Sequence, residues 1–335
     1  MTTAVTTPVV ARTRADLVSV LADHRAAGDI VLVPTMGALH EGHASLVRLA
    51  RDRAGDHGAV VVSIFVNPLQ FGPGEDLDRY PRTFDADLEM CGREGADVVF
   101  APTVAEMYPN GVPRDAESPA VTVEPGPLAD ILEGRIRPGH FRGVLTVVAK
   151  LLGLVRPDVA VFGQKDYQQL VLIRQLVADL CISGSHGALE VVGAPTDRED
   201  DGLARSSRNR YLDVEQRRQA AALSRVLHAA GREASYGVEA ALDAARAGLR
   251  PADGIDLDYL EIRTPGLAEL PQDVEPGTPA RALIAARVGS TRLIDNLALT
   301  IGGPASDASP GPPGEENGER SEHLPGEARP NEVRH

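Results

Sequence analysis

The segment Val33-Pro34-Thr35-Met36-Gly37-Ala38-Leu39-His40-Glu41-Gly42-His43 joins a short run that is apolar throughout, "IVLV" at Ile30 to Val33, to an amphipathic stretch, "ASLVRLARDRA". The apolar run reads as a strand buried on both faces, as in a parallel sheet. The stretch after it reads as a helix from about Gly42 to Ala54 that buries Leu46, Val47, Leu49 and Ala50 and closes at Gly55 and Gly58. A second apolar strand, "AVVVSIFV", follows. Strand, helix, strand implies a right-handed parallel crossover, and ligands of open α/β sheets bind at the carboxyl ends of the strands. The turn at that edge collects the unpaired N–H groups of a helix start and the positive end of its dipole, a cradle for phosphate. His40 and His43 add donors that can follow charge as it develops there.

The rest of the chain extends this frame. Residues ahead of Thr13 read as loose; Thr13 to Ala27 reads as a helix capped by Thr13 with Asp16 three residues on, striped by Leu17, Val20 and Leu21 and stopped by Gly28. The polar segment "NPLQFGPGEDLDRYPRT" leaves the second strand at the ligand edge and carries Asn67, Gln70 and Tyr80; loops this long at such an edge are usually functional. A helix from Phe84 to Arg93, a strand at "DVVFAP" and an irregular region from Thr103 to Pro127 with a strand near Val121 come next. Arg135, Arg137 and His140 then precede a long apolar helix starting at Phe141. Cations at a helix start oppose its dipole, so the pattern is read as serving an anion in preference to a solvated basic turn.

"VAVFGQKDYQQLVLIRQLVADL" repeats the opening architecture: strand Asp158 to Phe162, Gly163 at the turn, Lys165 and Asp166 at the helix start, and Leu170, Ile173 and Leu176 inside. After a flexible "SGSHG" turn, "ALEVVGAP" is the last strand of this unit. A third polar segment, "TDREDDGLARSSRNRYLD", packs Ser206, Ser207, Arg208, Asn209 and Arg210 ahead of a helix from Val214 to Ala230. It is either a charged linker or a mobile clamp in which guanidinium and hydroxyl groups bind phosphate. A helix from Val238 to Leu249 and strands at "IDLDYLEI", "RALIAARV" and "TRLIDNLAL" lead to Gly302. The expected fold is therefore α/β: a Rossmann-like, doubly wound parallel sheet over 1–194, a smaller α+β unit over 195–302 that begins with the SSRN loop, and a disordered tail over 303–335. That tail holds six prolines and few large apolar residues, too little to fold alone.

Charge and cysteine content narrow the partners. The net charge is −14, with −4 in the tail and −10 in the body, which argues against nucleic acid and for a small anion bound in a local basic pocket. Cys91 and Cys181 are too few for a disulfide framework or a zinc site, as in a reducing cytoplasm. The N-terminus lacks the pattern of a leader and the longest apolar runs are too short to span a bilayer, so a soluble, untargeted chain is expected. The histidine pair invites a zinc reading. However, a zinc-protease helix spaces its histidines four apart with Glu directly after the first, whereas here they are three apart with no other dense ligand cluster.

Four motifs in order, "PTMGALHEGH", "FVNPLQFGPGEDLDRYPRT", "FGQKDYQQ" and "DGLARSSRNRYLD", together with "DYLEIR" and "TRLIDNLAL", resemble the pantothenate synthetase (pantoate–β-alanine ligase) family. The resemblance runs from about residue 9 to Gly302 and leaves out the tail. "HEGH" alone would indicate only the wider nucleotidylyltransferase superfamily.

What the resemblance implies is attack of pantoate on the α-phosphate of Mg-ATP to give pantoyl adenylate and pyrophosphate, then displacement of AMP by β-alanine. It assigns His40, His43, Lys165, Ser206, Ser207 and Arg208 to catalysis, the last three acting like the KMSKS loop of related enzymes. It assigns Met36, Gly37, Ala38, Leu39, Glu41, Gly42, Gly163, Gln164, Asp166, Asp197 and Arg205 to ATP binding alongside the catalytic group. Gln70 and Gln169 take pantoate, with Asn67, Tyr80, Arg137 and His140 supporting or closing the site. Mg²⁺ arrives with the triphosphate and has no protein-only site; the working species is a cytoplasmic homodimer without nucleic-acid or membrane partners. Two positions depart from the family: Arg205 stands where Met or Leu is usual, and Asp197 where an apolar residue is common. If Arg205 touches phosphate, Arg205→Met raises the KM for ATP. The turn "SGSHG" also looks longer than usual, as a surface insertion would. A related adenylyltransferase would not need the "NPLQFG" and "DYQQ" amides, and a non-catalytic nucleotide binder would not need three convergent cations.

Overall fold

A computed structural model describes residues 7–113, 120–250 and 254–303. In chain order these form β1 (Val9–Ala11), α1 (Arg14–Ala27), β2 (Ile30–Thr35), α2 (Glu41–Ala54), β3 (Ala59–Ile64), α3 (Phe84–Arg93), β4 (Val98–Phe100), α4 (Val104–Met107), α5 (Leu132–Ile136), α6 (His140–Val155), β5 (Val159–Gly163), α7 (Tyr167–Asp179), β6 (Glu190–Ala194), α8 (Val214–Ala220), α9 (Ala222–Glu233), α10 (Val238–Leu249), β7 (Ile255–Arg263), β8 (Thr278–Val288) and β9 (Thr291–Ile301). Short 3-10 turns lie at Pro68–Gln70, Gln164–Asp166 and Ser207–Tyr211.

β1 to β6 make one parallel sheet in the order β1-β4-β3-β2-β5-β6. Starting at β2, the chain winds outward through β3 and β4, then returns to β5 on the other side of β2. That reversal is the switch point of a Rossmann-like doubly wound sheet, where loops diverge and leave a crevice at the carboxyl ends. The turns after β2 and β5, which carry His40–His43 and Lys165, are therefore neighbours. Strands Ile30–Val33 and Ala59–Val62 are wholly buried because helices cover both faces, which is why they read as unbroken apolar runs. β7, β8 and β9 form a separate antiparallel sheet under α9 and α10. A further apolar cluster joins the two: Leu132 and Tyr167 pack with Tyr259, Leu267, Leu283 and Ala285.

Side-chain caps from Thr13, Thr103 and Asp213 open α1, α4 and α8. Thr13 Oγ1 accepts the Asp16 N–H at 3.0 Å and Asp16 Oδ2 accepts the Thr13 N–H at 3.0 Å, the reciprocal cap the sequence announced. Four expectations change. Val9–Ala11, expected loose, is an edge strand paired with β4; three residues are too few to show a period. No strand forms near Val121, which is 88% exposed: one β-branched residue without a sheet neighbour does not make a strand. The helix expected from Val214 to Ala230 is divided at Ala221 into α8 and α9, with the Ala221 backbone still right-handed at φ −62° and ψ −16°. The segment after β6 is not a plain loop: Arg198 bridges Ala204 across a tight turn ending in Gly202 (φ +84°), and a 3-10 turn follows. The tail expected to be disordered lies outside the described residues.

Candidate active site

The turn after β2 is held from behind. Asp87, buried on α3, accepts the N–H groups of Ala38 (2.9 Å) and Leu39 (2.8 Å) and the Thr83 hydroxyl (3.0 Å). Those bonds fix a left-handed turn with Gly37 at φ +80° and Ala38 at φ 52°, and a Cβ on Gly37 would meet Asp87 Oδ2 at 3.0 Å. α2 then opens at His40 and points His40 and His43 into a cavity of about 240 Å³. The two rings lie 4.1 Å apart.

The His40 N–H lies 3.4 Å from His43 Nδ1, which accepts it and leaves the His43 proton on Nε2. Burial, reinforced by the Lys165 charge, pushes the His43 pKa down to about 4. Burial, then His43 and Lys165, push His40 down to about 3. Both rings are thus neutral donors at pH 7, and His40 Nδ1 is buried without a hydrogen-bond partner among the described residues. The Lys165 side chain lines the same cavity and has no ion-pair partner among the described residues.

The far wall carries the amides. Asn67 is saturated: its Nδ2 donates to Gln70 Oε1 (3.2 Å) and Gly143 O (3.0 Å), and its Oδ1 accepts Leu69 N–H (3.2 Å) and Tyr108 O–H (2.6 Å). It therefore orients Gln70, whose Nε2 donates to Met36 Sδ at 2.8 Å. Gly143 lets α6 come close enough for this, since a Cβ there would meet Leu69 O at 2.5 Å and Gln70 N at 2.6 Å. Gln169 lines the cavity and makes no side-chain hydrogen bond among the described residues. Its neighbour Gln168 is buried and spent on Leu128 O (2.8 Å), Ile131 O (2.9 Å) and Glu133 N–H (3.0 Å). Val144, Val147, Val148 and Leu151, one face of α6, complete an apolar wall with Phe65 and Phe162.

Charged loops roof the cleft. Arg137 donates bidentately to Glu75 (2.7 and 2.7 Å), and Arg208 to Asp76 (3.2 and 3.0 Å). Arg137 Nη1, a donor only, meets His140 Nε2 at 3.0 Å, so His140 carries its proton on Nδ1 and donates to Gln70 O at 2.9 Å. Burial, then the Arg137 charge, hold His140 neutral with a pKa of about 4. Tyr80 hydrogen-bonds Ser207 and is pushed up in pKa by burial. A second cavity of about 580 Å³ shares Arg137, His140, Lys165, Gln169, Ser206 and Arg208 with the first, so the two form one cleft reaching β9.

Comparison with known proteins agrees with this geometry. The family model described as Pantoate-beta-alanine ligase matches residues 9–298. The chain belongs to the pantoate–β-alanine ligase family. It is 65% identical to the pantothenate synthetase of Nocardioides sp. (strain ATCC BAA-499 / JS614), over 96% of each chain. It is 56% identical to that of Mycolicibacterium smegmatis (strain ATCC 700084 / mc(2)155), over 87% of each. The crystal structure of pantothenate synthetase from Thermus thermophilus superposes with a TM-score of 0.76 at 46% identity, covering 86% of this chain and 98% of that one. Pantoate-beta-alanine ligase from Francisella tularensis, complexed with beta-gamma ATP and beta-alanine, superposes with a TM-score of 0.67 at 32% identity, covering 87% and 97%.

Within this ligase fold most residues singled out from the sequence line the cleft. Met36, Gly42, Gly163, Asp166, Asp197, Arg205, Ser206, Ser207 and Tyr80 do so beside the histidines, Lys165 and the glutamines. Ala38 and Leu39 have given their N–H groups to Asp87, Glu41 pairs with Arg48, and the Gln164 amide donates to Gly193 O at 3.0 Å. Arg205 is held by Asp197 (Nε to Oδ2, 2.8 Å, an ion contact without hydrogen-bond alignment) and by Glu199 (2.8 Å). The two positions that the resemblance marks as departures are thus each other's partners. Sequence reasoning missed Asp87, Glu75, Asp76 and the apolar face of α6, whose spacing is that of ordinary core. Among the described residues, the one group of side chains close enough to share a metal ion is Asp29, Asp158 and His186, at the opposite, amino edge of the sheet. No described helix is long and apolar enough to cross a membrane.

Proposed function

We propose that this cleft joins pantoate to β-alanine at the expense of ATP through an acyl-adenylate. A pantoate carboxylate oxygen attacks the α-phosphorus of Mg-ATP and the bond to pyrophosphate breaks, giving pantoyl adenylate. The β-alanine nitrogen then attacks the acyl carbon, the acyl–oxygen bond to AMP breaks, and the amine proton leaves to solvent. The observation that carries this reading is the convergence, at the sheet's switch point, of neutral histidine donors, the Lys165 ammonium, which has no ion-pair partner among the described residues, and the Ser206–Arg208 segment beside two glutamine amides backed by an apolar wall.

Attack builds charge on the phosphoryl oxygens and the leaving pyrophosphate. His43 Nε2–H and His40 donate to that charge from the α2 start, Lys165 from the β5 turn, and Arg208 with the serines from the roof. Gln70 and Gln169 hold the hydroxyl and carboxylate groups of pantoate, and the Val144–Leu151 face takes its two methyl groups. Mg²⁺ comes with the triphosphate; the nearby carboxylates Glu75 and Asp76 are already engaged by arginines. The same reading divides the chain near residue 194 into a substrate-binding unit and a covering unit, and takes the working species to be a cytoplasmic homodimer, which light scattering tests.

Pyrophosphate exchange into ATP that requires pantoate and proceeds without β-alanine is the expected result. Exchange driven equally by another hydroxy acid, or by none, overturns the reading. His43→Ala is expected to slow exchange at least about tenfold, the loss of one transition-state contact.

A further inference from the structure

We propose that Asn296 is a positioning residue for Lys165, and that with Asp295 it sets the relation between the two phosphate-binding segments of the cleft. The inference rests on the reading of Lys165 as a phosphate ligand. On β9 alternate residues face opposite sides. Leu293, Leu299 and Ile301 pack into the core under α9, and Asp295 shares their side; Asn296 faces the turn that ends β5.

Asn296 Nδ2 donates to two carbonyls there, Gln164 O and Lys165 O, each at 2.9 Å. Its Oδ1 accepts Arg281 Nη1 at 2.8 Å, and Arg281 in turn lies 3.9 Å over the Tyr167 ring. A guanidinium only donates and a carbonyl only accepts, so the amide has one orientation that satisfies all three neighbours. Asn296 is 4% exposed, and the Gln164–Asp166 turn has no side-chain cap of its own. The backbone from which Lys165 projects is therefore pinned from the other sheet.

One residue earlier, Asp295 accepts Arg198 bidentately, at 2.7 and 3.0 Å. Arg198 starts the tight turn that leads to Ser206–Arg208 and also donates to Gly202 O at 3.1 Å. Successive side chains of a single strand thus hold the roots of the Lys165 turn and of the serine–arginine segment. A displacement of about 1 Å in such groups is enough to cost up to about a hundredfold in rate.

The test is pantoate-dependent pyrophosphate exchange in Asn296→Asp, Lys165→Ala, Asp295→Asn and the doubles with Lys165→Ala. Asn296→Asp keeps the side-chain shape and replaces the donor by an oxygen facing two carbonyls. It is expected to slow exchange at least about tenfold with the KM for pantoate unchanged, and to add less than about twofold when Lys165 is already alanine. Asp295 Oδ1 also accepts the Asn296 N–H at 2.8 Å, a bond that asparagine keeps through its own Oδ1; Asp295→Asn therefore loses the charge pairing with Arg198 on the other segment and is expected to multiply with Lys165→Ala. Unchanged exchange in Asn296→Asp, or a loss that multiplies with Lys165→Ala, overturns the role of Asn296; a change in Asp295→Asn that fails to multiply overturns that of Asp295. Should Asn296→Asp not fold, Asn296→Ser, which keeps one donor, is expected to slow exchange at least about threefold with the KM for pantoate unchanged, and parental exchange in that variant counts against the proposal. If Lys165→Ala exchanges at the parental rate, it is the reading of Lys165 that falls.

Discussion

Asp76 engages Arg208 through both carboxylate oxygens, at 3.0 and 3.2 Å, so an internal anion occupies the guanidinium proposed to bind phosphate. Phosphate must displace that carboxylate to use the same bidentate geometry. Asp76→Asn removes the competing charge and is expected to lower the KM for ATP roughly threefold to tenfold, on the order of 1 kcal/mol for a half-buried pair. Steady-state kinetics at saturating pantoate measures it. A raised KM would mean that Asp76 assists the nucleotide.

Gly143 marks where helix and turn touch most closely. A methyl group there would sit 2.5 to 2.6 Å from Leu69 and Gln70 backbone atoms, and backbone cannot rotate out of the way. Gly143→Ala is expected to raise the KM for pantoate at least about tenfold through displacement of Gln70, with a much smaller change for ATP. Isothermal titration with each substrate separates the two; equal loss for both would point to general unfolding of the cleft.

Arg205 lies between Asp197 and Glu199, so its removal strands carboxylates beside the proposed phosphate site. Arg205→Met alone is expected to raise the KM for ATP a few-fold by like-charge repulsion. The double change Asp197→Val with Arg205→Met, which restores an apolar pair, is expected to return it to within about twofold of the parent. A double variant as impaired as the single would show that Arg205 itself contacts phosphate.

His40, His43 and His140 are held neutral in the fold, His43 and His140 to about pH 4 and His40 to about pH 3, against an ordinary value of 6.5. Above pH 6.5 neither folded nor unfolded chain protonates them and their contribution to stability is complete. As pH falls from 6.5 toward 4, the unfolded chain takes up protons that the fold refuses, and stability drops by up to about 1.4 kcal/mol per pH unit for each histidine. Urea denaturation between pH 6.5 and 5, above the main carboxylate range, is expected to show this slope. His140→Gln is expected to lessen it by about one proton's worth; an unchanged slope would mean that His140 protonates within the fold.

Much of this was legible in order along the chain because the decisive signals are local. Thr13 and Asp16 announce their own cap, and the apolar runs at Ile30 and Ala59 announce a covered parallel sheet. The residues proposed to face phosphate sit on turns whose glycines and charges stand out. What stayed hidden is held by partners far apart in sequence. Asp87 on an ordinary amphipathic helix shapes the turn at Ala38, Asn296 on an ordinary strand holds the Lys165 backbone, and Gln168 differs from Gln169 only in the side of α7 it occupies. Glu75 and Asp76 carry no local signal, because their partners Arg137 and Arg208 lie 62 and 132 residues further along the chain.

β8 turns into β9 through only Gly289 and Ser290, with Val288 paired to Thr291 and Gly289 at φ +58°. Inserting or deleting one residue in that hairpin slides β9 by one position and exchanges the faces of Asp295 and Asn296. Each would then meet the other's partner, a carboxylate against two carbonyls and an amide against a guanidinium. Length variation among relatives is therefore expected to gather in the connection between β7 and β8, while the β8–β9 hairpin keeps a constant length, and indel libraries built on this scaffold should leave it untouched.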